Sequence, residues 1–206
     1  AIRSHLQHSL QQGTYQLSTV QCYRAGQHRI TRWSTLDSIV FKAIAIVLTP
    51  IIGDAMGKTC THIKGHGGLK GTVRQITGRC SQFTHVVRAD VAKYYQSMTQ
   101  TTVMQCCRAV IEDKRILRII QQLIERVEID HGNYTLITQG IPKGCALSPL
   151  IAALCLKPLD DCMPREVFYR RYMDDWVIFA KSKRQLRRLV KRMHQVMRQL
   201  NFKLAP

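Results

Sequence analysis

Apolar residues first take on a clear rhythm after Thr35. Leu36, Ile39, Val40, Ala43, Ile44 and Val47 recur at helical spacing, with Pro50 just beyond. The spacing predicts a helix capped by Thr35 and closed near Pro50. Only Lys42 interrupts its apolar circumference, so this helix is expected to be buried on all sides. Residues 101–126 repeat the helical period as one or two segments, through Val103, Met104, Cys107, Val110, Ile116, Ile119, Ile120 and Leu123. A last helix should open at Ser182. It places Leu186, Leu189, Val190, Met193, Val196, Met197 and Leu200 on one face and Lys183, Arg184, Arg187, Arg188, Lys191 and Arg192 on the other.

Between these helices the pattern shortens to strands. His85-Val86-Val87-Arg88-Ala89 ends at Asp90, and the runs 168–172 and 176–180 flank Met173-Asp174-Asp175. Residues 127–137 read as a hairpin around His131-Gly132-Asn133. Ser148 followed by Pro149 predicts a helix start, with the serine as cap. Gly65 to Gly71 is a Gly- and Lys-rich loop whose N–H groups could cradle phosphates, although such loops are common. Residues 1–34 show no usable pattern. Helices and strands mix without a βαβ rhythm, so the fold class expected is α+β, a small antiparallel sheet backed by helices.

Charge narrows the partners. Lys and Arg number 31 against 13 Asp and Glu, a net +18. Nucleic acid is the economical partner for such a chain, ahead of an acidic membrane surface or an acidic protein. The basic face of the last helix fits simple solvation and nucleic-acid contact equally. Pro50 and Pro149 break the longest uncharged stretches, short of the ~20 residues that span a bilayer, so no membrane association is expected. Eight cysteines form no CxxC pair and several sit in apolar runs. That usage suits a reducing compartment and a cytoplasmic protein. Cys60, His62, His66 and Cys80 are zinc-ligand types, but their spacing fits no common zinc pattern, and a polar Gly-rich loop explains them better.

Two adjacent acids at Asp174 and Asp175, at the tip of a strand pair in a very basic chain, repel each other and gain nothing structurally. A solvated turn explains them alone, but Asp90 also ends an apolar strand. Acids converging from both segments at one sheet edge would suit hard divalent cations ~4 Å apart, able to clamp the oxygens of a phosphoryl transfer.

With these residues the sequence resembles a reverse transcriptase of the bacterial type related to group II intron, retron, diversity-generating and phage-defence enzymes. Asp90 to Met98 resembles the first palm motif and Gln139 to Leu150 the second. Tyr172 to Asp175 is the YxDD box, and Leu186 to Phe202 resembles the helix and turn after it. Arg32 to Pro50 and His62 to Lys70 resemble upstream fingers motifs. The likeness spans most of residues 28–206. It implies a right-hand polymerase with fingers at about 1–84 and 106–147 and palm at about 85–105 and 148–206. The implied reaction adds deoxynucleoside triphosphates to a DNA or RNA primer on an RNA template, using two Mg²⁺ ions with Mn²⁺ as a substitute.

The resemblance assigns Asp90, Asp174 and Asp175 as catalytic metal ligands, with Val91 beside them in the metal set. It assigns Tyr95 as the gate against a 2′-hydroxyl. Lys143, Gly144, Arg29, Arg32 and Lys64 fall at nucleotide-binding positions. Pro142, Ser148, Tyr172 and Met173 fall at template or primer positions. The sequence departs from the family pattern at Lys143, where Gln is usual, and at Ser38, where Arg is common. The family's pyrophosphate-protonating lysine, primer grip and thumb are expected beyond Pro206. The alternative reading is a nucleic-acid binder that keeps the fold without turnover.

Overall fold

A computed structural model describes residues 2–25 and 28–205, with the side chains of 24, 25, 28 and 29 outside what it describes. Two small sheets share one core. The first follows helix α1 (Ile2–Gln11) and begins with a hairpin of β1 (Val20–Ala25) and β2 (His28–Arg32). Its other half is the hairpin β4 (Val127–Asp130) and β5 (Asn133–Leu136). β1 and β4 run parallel, with Val20 opposite Glu128, giving the order β2-β1-β4-β5. The expected 127–137 hairpin thus forms, turning through His131 and Gly132 at φ 48 and 83. The helix and hairpin within 1–34 were not legible as pattern.

The second sheet is antiparallel, in the order β3-β7-β6, from β3 (His85–Ala89), β6 (Phe168–Tyr172) and β7 (Asp175–Ala180). It is the small antiparallel sheet the sequence predicts. Its register sets Ala89 opposite Trp176 and Tyr172 opposite Asp175. Side chains alternate faces along a strand. Trp176 and Ile178 therefore point into the core, while Asp175 and Val177 share the opposite face with Arg88. The last helix, α9 (Lys183–Gln199), covers the core face through Leu189, Met193, Val196 and Met197, and the Trp176 indole N–H lies 3.3 Å from the Met193 sulfur.

Helix α2 (Thr35–Met56) departs from expectation in three ways. Its cap is Ser34, whose hydroxyl accepts from the Asp37 N–H, rather than Thr35. It continues through Pro50 for another turn. Proline removes the bond to the carbonyl four residues back, and that residue, Ile46, is 63% exposed, on the side where water can replace the lost donor. Third, α2 is only half buried. Val40, Phe41, Ile44, Leu48 and Ile52 enter the core, while Leu36, Ile39, Ile46, Val47 and Ile51 are exposed. At 22 residues it is, among the described helices, the one long and apolar enough to cross a membrane by length and composition. Its N-terminal turn is fixed from below: the buried Asp37 accepts from the Tyr15 hydroxyl at 2.8 Å and the Ser34 hydroxyl at 2.7 Å.

The 65–71 stretch is loop only in its first half, because α3 (Gly68–Thr77) begins inside it, and a 3-10 turn (Cys80–Gln82) leads on to β3. The first palm-like segment continues into the short α4 (Tyr94–Ser97). Residues 101–126 resolve into α5 (Gln100–Arg108) and α6 (Lys114–Ile124). α5 packs on α6 and on α7 (Ser148–Cys155), and α8 (Lys157–Cys162) lies between α7 and α9. Ser148 is not the cap of α7: Leu147 holds that position, and the Ser148 hydroxyl donates to the Pro142 carbonyl at 2.6 Å.

Candidate active site

The register of β3, β7 and β6 brings Asp90, Asp174 and Asp175 to one end of the second sheet. Asp90 follows β3, and its carboxylate accepts from the Val91 N–H at 2.7 Å. Asp174 lies in the tight turn between β6 and β7. Burial raises its pKa above the ordinary carboxylate range, and the charges of Asp90 and Asp175 push in the same direction. Asp175 is turned to the open face, where Arg88 grips it through two bonds of 2.9 and 2.7 Å. The three acids are therefore neighbours but not a closed ligand set. Among the described residues no three metal-ligating side chains form a ready cluster.

Tyr95 stands beside this edge. Burial and then the Asp174 charge push its phenol up to about 12. Its carbonyl accepts from the Ile141 N–H, and Gly140 donates to Met98, so the 139–150 block is bound to the α4 turn. Tyr94, next to it, is core: its hydroxyl donates to the Ala152 carbonyl at 2.6 Å. Pro142 and Ser148 are buried and bonded to each other, so they can act on a template only by positioning backbone. Lys143 and Gly144 are exposed, and the Thr31 hydroxyl ties the Lys143 carbonyl to β2. Lys64 lines an open cavity of about 670 Å³ with Lys42, Ala146 and Pro149. Arg32 lies apart, over the Tyr23 ring and beside Ser34 and Ser38. The Arg29 side chain lies outside the described residues.

The sequence did not reveal what holds the acidic turn. Met173 adopts φ 57, a left-handed conformation that a residue with a Cβ disfavours. Both its backbone polar groups are taken by side chains. Its N–H donates to His62 Nδ1 at 3.1 Å, and its carbonyl accepts from Arg171 at 2.7 Å. His62 turns its other nitrogen toward the Pro149 carbonyl at 3.4 Å and sets its ring edge-on to Tyr172. The imidazole is thus neutral, with the proton on Nε2. Burial, then the Arg171 charge, lowers its pKa to about 4. Arg171 is itself buried, paired with Asp160, which also accepts from the Tyr169 hydroxyl at 2.7 Å.

The segment before His62 is joined to the sheet as well. Arg171 N–H donates to the Thr59 carbonyl, and Thr61 N–H donates to the Arg171 carbonyl, a short parallel bridge along β6. Thr61 also receives a bond from the Thr72 hydroxyl of α3. Cys60, His62 and His66 are engaged in this seam, His66 through the Cys60 carbonyl.

Comparison with known proteins agrees with this layout. Residues 24–206 match the family described as reverse transcriptase (RNA-dependent DNA polymerase). The chain belongs to that family. Protein YkfC of Escherichia coli (strain K12) is 25% identical over 88 residues, covering 43% of this chain and 22% of that protein. The chain spans about a fifth of the length of the relatives it matches in sequence. Among solved structures, telomerase from Candida albicans in complex with a fragment of telomeric RNA superposes with a TM-score of 0.68. It is 10% identical, over 93% of this chain and 41% of that one. A partial Cas6-RT-Cas1–Cas2 complex gives 0.53 at 18% identity, over 95% and 37%. At such identities the likeness speaks for the fold alone: fingers and palm of a reverse transcriptase.

Proposed function

We propose that this chain carries the catalytic edge of an RNA-directed DNA polymerase, with fingers at about 1–84 and 106–147 and palm at about 85–105 and 148–206. The observation that carries the reading is the meeting of Asp90 and Asp174, from separate segments, at one sheet edge beside Tyr95. Burying two like charges together is unfavourable unless a cation offsets them. Their donor atoms are carboxylate oxygens, which suit Mg²⁺ or Mn²⁺. Asp90, Asp174 and the Val91 backbone would hold such ions, with Asp175 available once released from Arg88. Bound there, divalent ions would supply Lewis acidity toward a primer 3′-hydroxyl and a triphosphate. The chain's own part is to fix the acids: Val91 N–H orients Asp90, and His62 with Arg171 sets the backbone ahead of Asp174. Tyr95 would crowd the sugar of an incoming deoxynucleotide. Lys143, Gly144, Arg29, Arg32 and Lys64 would offer contacts to the triphosphate, and the 142–148 block with Tyr172 and Met173 would border template and primer.

Primer extension on an RNA template tests this reading. Asp90→Asn or Asp174→Asn should abolish deoxynucleotide addition while leaving circular dichroism and RNA affinity unchanged, because metal-centred charge supplies much of the transition-state stabilisation. Unaltered kinetics in either variant would refute it. In the same assay Tyr95→Val should raise ribonucleotide use relative to deoxyribonucleotide. An unchanged kcat/KM ratio would make Tyr95 a packing residue only.

The grip of Arg88 on Asp175, with Lys143 in place of Gln, favours a second reading: a binder without turnover. RNA binding with no extension by the parent protein, under any divalent cation, would select it.

A further inference from the structure

The outer face of α9 is the most concentrated charge on the described surface that the catalytic edge does not use. Lys183, Arg184, Arg187, Arg188, Lys191 and Arg192 are all exposed, and the helix contains no acidic residue. Among the described residues, none of these six forms an ion pair. They fall into two i, i+4 series, 183/187/191 and 184/188/192, stepping about 6 Å along the axis each time. Like charges at that spacing weaken a helix. One carboxylate, Glu166, shares a shallow notch of about 160 Å³ with Arg188 and Arg192, at the rim of the face.

Position separates this face from the cleft. α9 buries Leu189 and Met193 against the Trp176 side of the second sheet. Asp175 and Arg88 occupy the other side. The cations of α9 therefore look away from the open face of the sheet.

We propose that this face is a second nucleic-acid surface, taking the phosphate backbone of an RNA duplex independently of the catalytic edge. Unpaired, regularly spaced cations match a phosphate ladder, and arginine's planar fork suits phosphate oxygens. No aromatic residue interrupts the six, so the face offers no platform for stacking splayed bases, and contact with the backbone of a duplex is the mode it suits. Such a surface would hold an RNA on the protein while another segment occupied the cleft.

The test is a salt series with a blunt-ended RNA hairpin, whose 3′ end has no template overhang to copy. The variant R187Q/R188Q/K191Q/R192Q keeps good helix formers. It should bind more weakly, with the slope of log K against log salt reduced by about 3.6, as expected for four lost phosphate contacts on a duplex. R187K/R188K/R192K keeps the charge and should keep the parent's slope, at somewhat lower affinity because lysine lacks arginine's fork. A control removes the same charge from scattered exposed sites, R3Q/K58Q/R108Q/K114Q, and should leave most of the slope. Equal loss in the scattered control would mean that net charge alone binds RNA, and an unchanged α9 variant would show that the face is idle; either overturns the proposal. So would an α9 variant that keeps RNA affinity but no longer binds polyglutamate, because the face would then dock acidic protein. Should the fourfold variant fail to fold, K183Q/R184Q removes one turn of the stripe and should lower the slope by about half as much.

Discussion

Met173 holds a disfavoured backbone conformation at the turn that carries Asp174, and His62 is one of the two side chains that keep it there. Because Nδ1 must accept, only the neutral ring serves. The folded-state pKa is depressed from 6.5 to about 4. His62 therefore contributes stability that is complete above pH 6.5 and is lost as pH falls toward 4. A shift of that size corresponds to roughly 3 kcal/mol. Urea denaturation between pH 7 and pH 4 should show that loss in the parent and a flatter profile in His62→Gln, after the carboxylates common to both are taken into account. Parallel profiles would mean that the ring tolerates protonation. The acids of this site were legible because adjacent aspartates stand out in a basic chain. His62 and Arg171 were not. Each acts on backbone, His62 across a sequence separation of 111 residues, and a bond to a main-chain group leaves no recurring residue pair to read.

At the scale of elements, legibility followed burial contrast. α9 was readable because a wide apolar stripe faces an unbroken basic one. The β6–β7 hairpin was readable because apolar runs flank polar residues. β1 was not. Its alternation of buried Val20 and Cys22 with exposed Gln21 and Tyr23 is too short to register, and its partner β4 lies across the fold. The apolar period marks α2 as a helix, but apolar residues all round do not say which side meets a neighbour. The junction of α4 with the 139–150 block gives a prediction here. Gly140 has φ 89, and an added Cβ would sit 3.0 Å from the Tyr95 carbonyl oxygen and 3.2 Å from Gln96 Cα. Neither is the flexible end of a side chain. Gly140→Ala should therefore destabilise the fold by about 1–3 kcal/mol, measured by chemical denaturation, and shift the Tyr95 ring environment in near-ultraviolet spectra. A neutral substitution would show that the two segments can part without loss.

For the molecule as a whole, +18 charge on one core is a standing self-repulsion. Added KCl should raise the melting temperature by screening it. RNA should raise it further at low salt: ligand at a hundredfold excess over Kd adds about 2.7 kcal/mol, or roughly 5–10 °C for a chain of this size. Thermal melts with and without RNA check this. An RNA effect that survived high salt would point to base or shape contacts beyond phosphate.

The bridge from Thr59 and Thr61 to Arg171 has a bearing on descent. It stitches the segment before α3 onto β6 as a supplementary strand, and His62 carries the seam on to the acidic turn. The first 84 residues thus cannot be exchanged between relatives like a cassette. A crossover near that point would have to join a first segment that supplies the histidine to a later half whose turn needs it, or leave the Met173 N–H without its acceptor. Inheritance should therefore favour exchanges that keep both halves together, and His62 should change in concert with the turn at Met173 or not at all.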